Sequence, residues 1–220
     1  MITYAQIKND PAIRTYVAEA DASLAALGYT EHSFAHVTRV ATAAGEILAS
    51  LGYSEREAEL ARIAGFLHDI GNLVNRIDHS QSGAIIAFRI LDKMGMEPEE
   101  IAPIVAAIGN HDEGTGVPVS AIAAALILAD KSDVRRTRVR DKQHVRNDDI
   151  HDNVNYSVTR SSLKISDDKT HITLKLELDT AVSSVMDYFE IFLGRMIMCK
   201  SAAAKLGLNF KLDINGQILL

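Results

Sequence analysis

The sequence predicts a mainly α protein. A helical bundle is expected over residues 1–136, a polar loop or lid over 137–153, and a small α+β unit, ordered β-β-α-β, over 154–220. Three observations carry this reading. Apolar residues recur at three- and four-residue spacing through most of residues 10–135. The segment 137–153, TRVRDKQHVRNDDIHDN, has almost no apolar periodicity. Beyond it, His171–Leu178 alternates apolar and polar residues, the period of a half-buried strand.

The helices follow in order. Asn9 or Asp10 before Pro11 reads as a cap with proline in the first turn. Val37, Val40, Ala41, Ala44, Ile47, Leu48 and Leu51 form one helical face, which Gly52 ends. Ser54 with Glu57 three residues on is a capping box, and the helix it opens presents Leu60, Ile63, Phe66 and Leu67. Further helices are expected over about 80–94, 98–110 and 119–136. In the C-terminal unit, Asn155–Ile165 and His171–Leu178 read as strands joined by a turn at Ser166-Asp-Asp-Lys169. A long helix over about 180–206 ends at Gly207, and Leu208, Phe210, Leu212 and Ile214 alternate as a third strand.

Composition narrows the function classes. With 47% hydrophobic and 24% charged residues, 220 residues suffice for a sizeable core. No apolar run approaches the roughly 18 residues needed to span a bilayer, and MITYAQIKND lacks the basic-then-apolar layout of a signal peptide. A single cysteine, Cys199, leaves no disulfide framework and no zinc finger, so a cytoplasmic setting is expected. A net charge of −6 argues against a nucleic-acid polymer as partner. It leaves room for a small phosphorylated ligand in a locally positive pocket.

The chemistry-bearing residues stand where apolar faces should be. His68 and Asp69 end the helix of Leu60–Leu67, and His36 lies four residues before Val40. His111 continues the face of Ile104 and Ile108, and Asp130 closes the nearly all-apolar Ser120–Ala129 run. One buried, uncompensated charge is costly, but several can compensate one another around a cation. Imidazole nitrogen and carboxylate oxygen are the donors that borderline and hard divalent metals share. The alternative at this level is a set of independent, separately satisfied polar residues. His32 reads as a surface residue or a supporting partner of His36, while His144, His151 and His171 have no supporting context.

The pattern His36 … His68-Asp69 … Asp130 resembles the signature of the HD-domain superfamily of metal-dependent phosphohydrolases, over roughly residues 20–136. His68-Asp-Ile-Gly71 is the HDIG form of its central motif, with His36-Val-Thr-Arg39-Val and Ala129-Asp130-Lys131-Ser-Asp133 as similar settings of the first and last ligands. The resemblance implies an HD-domain helical bundle in which His36, His68, Asp69 and Asp130 hold a first metal. His79, in His79-Ser-Gln-Ser-Gly83-Ala84, and His111 would hold a second, with Asp69 bridging. One or two divalent ions among Mn, Fe, Mg, Co and Zn are implied. The chain departs from the HD-GYP branch: Asn110 precedes His111 where that branch has a second histidine, and Gly116-Val117-Pro118 replaces Gly-Tyr-Pro. Specificity for cyclic dinucleotides is therefore not carried over. Asn72 stands where many relatives have a lysine near the phosphate, which moves the search for a phosphate-binding cation to Arg39, Lys131 and the run Arg135, Arg136, Arg138 and Arg140.

The expected activity is hydrolysis of a phosphomonoester or phosphodiester, on a nucleotide or another small phosphorylated metabolite, by a metal-activated hydroxide. Asp69, Arg39 and Lys131 are the candidate catalytic residues, with Asp133 or Asp112 orienting the groups around them. Two other classes stay open. The same ligand set suits a di-iron oxygenase, and an HD domain can serve as a regulatory scaffold whose C-terminal unit pairs with a partner or as a homodimer.

Overall fold

The computed structural model describes residues 1–140 and 150–219. Seven α-helices come first: α1 (Tyr4–Asn9), α2 (Pro11–Ala26), α3 (Phe34–Leu51), α4 (Glu55–Leu67), α5 (His79–Lys93), α6 (Pro98–Gly109) and α7 (Ala121–Lys131). Single 3-10 turns lie at Ile70–Leu73 and Arg136–Arg138. Then follow α8 (Ile150–Ser157), β1 (Val158–Ile165), β2 (His171–Leu178), α9 (Val185–Lys205), β3 (Asn209–Ile214) and β4 (Gln217–Ile218). The expected mainly α architecture with a small α+β end is observed. No helix among the described residues is long and apolar enough to cross a membrane.

Local sequence explains the helix boundaries. The Asp10 side chain accepts from the amides of Ala12 and Ile13, satisfying donors that the helix leaves open. Ser54 and Glu57 form the expected capping box, worth about 1 kcal/mol in such positions. The α7 run carries alanine and β-branched or γ-branched residues all round, so it is hydrophobic on every face and Ile122–Lys131 are all buried. It packs against α3, α4, α6 and α9. Gly65 lets α3 and α4 meet closely: a Cβ there would lie 2.7 Å from the Ala41 Cα.

The sheet has the order β1-β2-β3-β4. β1 and β2 are antiparallel across the expected Ser166–Lys169 turn, whereas β2 and β3 run parallel because α9 carries the chain back to the same end. α9 packs on β3 and α7, so one apolar cluster runs through both the helical bundle and the C-terminal elements.

Several expectations need correction. The polar loop expected over 137–153 falls largely on residues 141–149, outside those described. Its end is helical: α8 begins at Ile150, and residues 155–157, expected as strand, complete it. Ile150 and Val154, four apart, supply the apolar contact that a helix can bury. The helix expected from 119 to 136 ends at Lys131, and the one expected from 180 begins at Val185, where Ser184 and Asp187 form a capping box. The two-residue β4 and the short α1 were not anticipated.

Candidate metal centre

Five helix ends converge. His36 lies in the first turn of α3, behind the N-cap Ser33, and His68 caps the C-terminus of α4 with Asp69 next to it. His79 opens α5, His111 follows α6 by two residues, and Asp130 is the penultimate residue of α7. Gly71 sets the turn after Asp69 at this junction. Its φ is not positive, so its role is not the left-handed turn that a glycine suggests. A Cβ on it would sit 1.9 Å from the His79 carbonyl oxygen, so the missing side chain lets α5 approach.

The side chains meet around the two oxygens of Asp69. Its Oδ2 lies 3.1 Å from His68 Nε2 and 3.4 Å from His36 Nε2. Asp130 Oδ1 approaches the same two nitrogens at 3.4 and 3.6 Å. The other oxygen, Oδ1, lies 3.6 Å from His79 Nε2 and 3.9 Å from His111 Nε2. The six residues that the sequence singles out as ligands are thus brought together, and all six are buried.

The tautomers follow from the partners of the opposite ring nitrogens. His68 Nδ1 faces the Gly65 carbonyl at 2.8 Å, His111 Nδ1 the Ile108 carbonyl at 2.6 Å, and His79 Nδ1 the Arg76 carbonyl at 3.1 Å. His36 Nδ1 faces the Asp133 carboxylate at 2.8 Å. Carbonyl and carboxylate oxygens only accept, so each Nδ1 carries a proton, and each ring, when neutral, turns an Nε2 lone pair to the centre. His79 Nε2 and His111 Nε2 then oppose each other at 3.2 Å, two acceptors in contact. His36 Nε2, His68 Nε2 and Asp69 Oδ2 are buried without any hydrogen bond. Such orphaned lone pairs are costly in a dry interior, and a cation satisfies all of them at once. The oxygen and imidazole donor set fits a first-row divalent metal. Two triads, His36–His68–Asp130 and His68–Asp69–His111, bring their donor atoms within 4.8 Å of one another, close enough that each could hold an ion.

Electrostatics divide the centre. Burial opposes charge on His68, but Asp69 and Asp130 outweigh it and push the imidazole up to about 10. Burial and Arg138 oppose charge on His36, yet Asp130, Asp133 and Asp69 raise it. Burial, together with His68 and Lys131, pulls His111 down to about 3, and burial lowers His79 too. Burial also disfavours the charged carboxylates of Asp69 and Asp130. Nearby cations overcome it, His68 for Asp69 and Lys131 for Asp130, and hold both well below the usual range.

Asp69 is pinned from behind. The Asn72 amide donates to the Asp69 carbonyl at 2.9 Å and to its Oδ1 at 3.1 Å. Asn72 therefore holds a ligand instead of presenting a cation. Lys131 Nζ bonds Asp130 Oδ2 at 2.8 Å and Glu113 Oε1 at 3.2 Å, and Arg195 Nε reaches the same Glu113 oxygen at 2.7 Å.

A cavity of about 170 Å³ opens over Asp69, Asp130, His79 and His111. Lys131, Arg76, Arg138 and Arg195 line it, with Phe192 beside Arg195. Arg138 is buried and ties Nε to the Glu31 carbonyl and Nη1 to the Asp133 carbonyl. His32 also lines the cavity, and so do His151, Asp152 and Asn155 of α8. The C-terminal elements thus supply one wall of the centre through α8 and α9.

Arg39, expected to reach past the metal, is not brought to this cavity. Its side chain is 61% exposed, with Nε 3.4 Å from Asp133 Oδ1, and it lines a different depression. One helical turn beyond His36 its guanidinium meets the outer oxygen of Asp133, whose other oxygen takes His36. Sequence reasoning missed Arg76, Glu113 and Arg195. Arg195 had a signal: it is the one charge in the apolar run Ile191–Cys199. Glu113 and Arg76 had none beyond nearness to His111 and His79.

No curated protein matches the chain. The family model for the HD domain matches residues 33–142, half of the chain, and the matched segment contains all six converging side chains. The chain belongs to the HD-domain family, whose members bind divalent metals.

Proposed function

We propose that the protein is a metal-dependent phosphohydrolase acting on a small phosphorylated substrate. The observation that carries this reading is the pairing of imidazole lone pairs on both oxygens of Asp69, beneath a cavity edged by four cationic side chains. His36, His68, Asp130 and Asp69 Oδ2 would hold one ion; His79, His111 and Asp69 Oδ1 would hold the other. The chemistry that such ions supply is Lewis acidity, toward water near neutral pH and toward phosphoryl oxygen.

The chain's own residues do the rest. The Nδ1 bonds of the four histidines fix ring orientation and raise ligand basicity. Asn72 keeps Asp69 in the rotamer that serves both ions. Arg138 has Nε and Nη1 committed to carbonyls, so Nη2 remains for a phosphoryl oxygen at the cavity. Lys131 and Arg195, held by Glu113, keep positive charge against Asp130 and the cavity wall. With ions neutralising Asp69 and Asp130, the four cations of the cavity would outnumber its other two carboxylates, Asp112 and Asp152, which suits an anionic substrate and favours hydrolysis over the oxygenase reading.

The test begins with metal analysis of protein purified without chelator, followed by a panel of phosphomonoesters and phosphodiesters that includes nucleotides. Bound divalent metal, hydrolysis lost on chelation and restored by metal, and loss of both in Asp69→Ala are expected. Metal-loaded protein inert across the panel would overturn the activity and favour a regulatory role. A coloured, redox-active centre would favour the oxygenase.

A further inference from the structure

A second concave surface lies on the far side of Asp133 from the metal centre. This groove of about 390 Å³ runs between α3, the segment after α7, and β1. Arg39, Arg135, Arg136 and Arg160 line it, and among the described residues Asp133 is the only acidic one that does. The lining thus carries an excess of positive charge in a chain whose net charge is −6, with Glu31, Asp179 and Glu177 pairing Arg135, Arg136 and Arg160 from outside it.

The four arginines are not equivalent. Arg135 is committed: Nε to Asp133 at 2.9 Å, Nη2 to Glu31 at 3.0 Å, and Nη1 to the Thr137 hydroxyl at 2.5 Å. Arg136 is committed too, donating to the Tyr156 carbonyl at 2.6 Å, pairing with Asp179 at 3.5 Å and stacking over the Tyr156 ring. Arg39 and Arg160 stand on opposite walls, α3 and β1, and are 61% and 73% exposed. Their contacts are single and long: 3.4 Å from Arg39 Nε to Asp133, and 3.7 Å from Arg160 Nη1 to Glu177. β1 is the edge strand of the sheet, so half of its amides face away from β2, and Ser162 adds a hydroxyl to the same wall. Ala43, Ala129 and Leu163 contribute apolar lining.

We propose that this groove binds a small phosphate-class oxyanion, of inorganic phosphate or pyrophosphate type, clamped between Arg39 and Arg160. Guanidinium forks from two walls match the oxygens of a tetrahedral anion, while Arg135 and Arg136 are held by their own carboxylates, Glu31, Asp133 and Asp179. The groove shares one carboxylate with the metal centre, because Asp133 meets His36 through Oδ2 and Arg39 and Arg135 through Oδ1. The site stands independently of the hydrolase reading.

The test uses the full chain freed of metal with chelator, titrated with pyrophosphate in a calorimeter, so that no metal-bound pyrophosphate contributes. Wild type is expected to bind one equivalent, more weakly as salt rises. Arg160→Ala and Arg39→Ala are each expected to weaken binding about tenfold or more, the range for one charge-assisted contact. Arg195→Ala, in the metal-centre cavity, is expected to bind as wild type does. Arg160 lies on the surface, so its variant reports on binding even if Arg39→Ala unfolds. No binding by wild type, wild-type affinity in Arg160→Ala, or loss of binding in Arg195→Ala would each overturn the proposal.

Discussion

The two faces of Asp69 are built differently. On the Oδ2 side, His36, His68 and Asp130 come from α3, α4 and α7, helices that pack on one another in the centre of the bundle. Two carboxylates serve two imidazoles there, and both imidazoles are raised. On the Oδ1 side, His79 and His111 come from the start of α5 and the segment after α6, at the wall of the cavity. They share one oxygen of Asp69, with Asp112 3.9 Å from His79 Nε2 on the cavity side; Arg76 Nη1 lies 3.3 Å from the same nitrogen, and both rings are lowered. Under the proposed function, the greater negative charge around His36 and His68 would make the first side the tighter cation site. Under the same function, the second side, less charged and nearer the opening, would be the exchangeable one and the one beside which a substrate is received.

The largest expected effect comes from removing what the two sides share. Asp69→Ala should abolish two-metal loading and lower activity by more than about 100-fold, the upper end for residues that merely support a ligand. Metal content and hydrolysis measured on one preparation decide it. Retained loading of two ions would break the account of Asp69 as the bridge. Next comes an asymmetry between single ligands. His36→Ala should cost both ions, since the tight site anchors the pair, whereas His79→Ala should leave one ion that resists mild chelation. Metal stoichiometry along a chelator series reads this directly, and equal loss in the two variants would refute the ranking of the sides.

Much of this centre was legible in the sequence because its ligands interrupt apolar faces. His111 continues the face of Ile104 and Ile108, and Asp130 closes an all-apolar helix, so periodicity alone pointed inward. The capping signals at Asp10 and Ser54 were local and were observed where expected. What was not legible depended on contacts between distant segments. Arg39 sits one turn beyond His36, and spacing could not tell that Asp133 would hold its guanidinium on the outer side. Arg195 and Glu113 are 82 positions apart, and their ion pair exists only because α9 packs on α7. α8 was missed because a single apolar pair, the half-buried Ile150 and the buried Val154, is too little pattern within a polar stretch.

A smaller effect separates the sides through Asp133. Asp133→Asn keeps an oxygen for His36 Nδ1 but removes the charge that makes His36 a better donor. Affinity for the first ion should fall by about 10–100-fold, while the second ion, whose histidines rest on backbone carbonyls, should be affected only through Asp69. Calorimetric titration of metal-free protein shows whether one binding event or both have weakened, and equal weakening of both would contradict the separation.

The smallest effect tests the second side alone. Asn72 is buried, and its amide is oriented without ambiguity because the Asp69 carbonyl, 2.9 Å from Nδ2, can only accept. The same Nδ2 reaches Asp69 Oδ1, the oxygen that faces His79 and His111, and leaves Oδ2 untouched. Asn72→Ala therefore frees only the Oδ1 face. Asp69 loses one restraint on its rotamer, and the loss of a buried hydrogen-bonding amide costs about 1–3 kcal/mol of folding stability. The second ion should bind about tenfold more weakly or less, at the low end for a supporting residue, with the first unchanged. A thermal melt without metal gives the stability cost alone, and the same melt with metal should widen the gap to wild type, because an ion that binds the folded variant more weakly stabilises it less. Weakening of the first ion by this variant would mean that Asn72 acts on the whole carboxylate, and the two faces of Asp69 would then be one site.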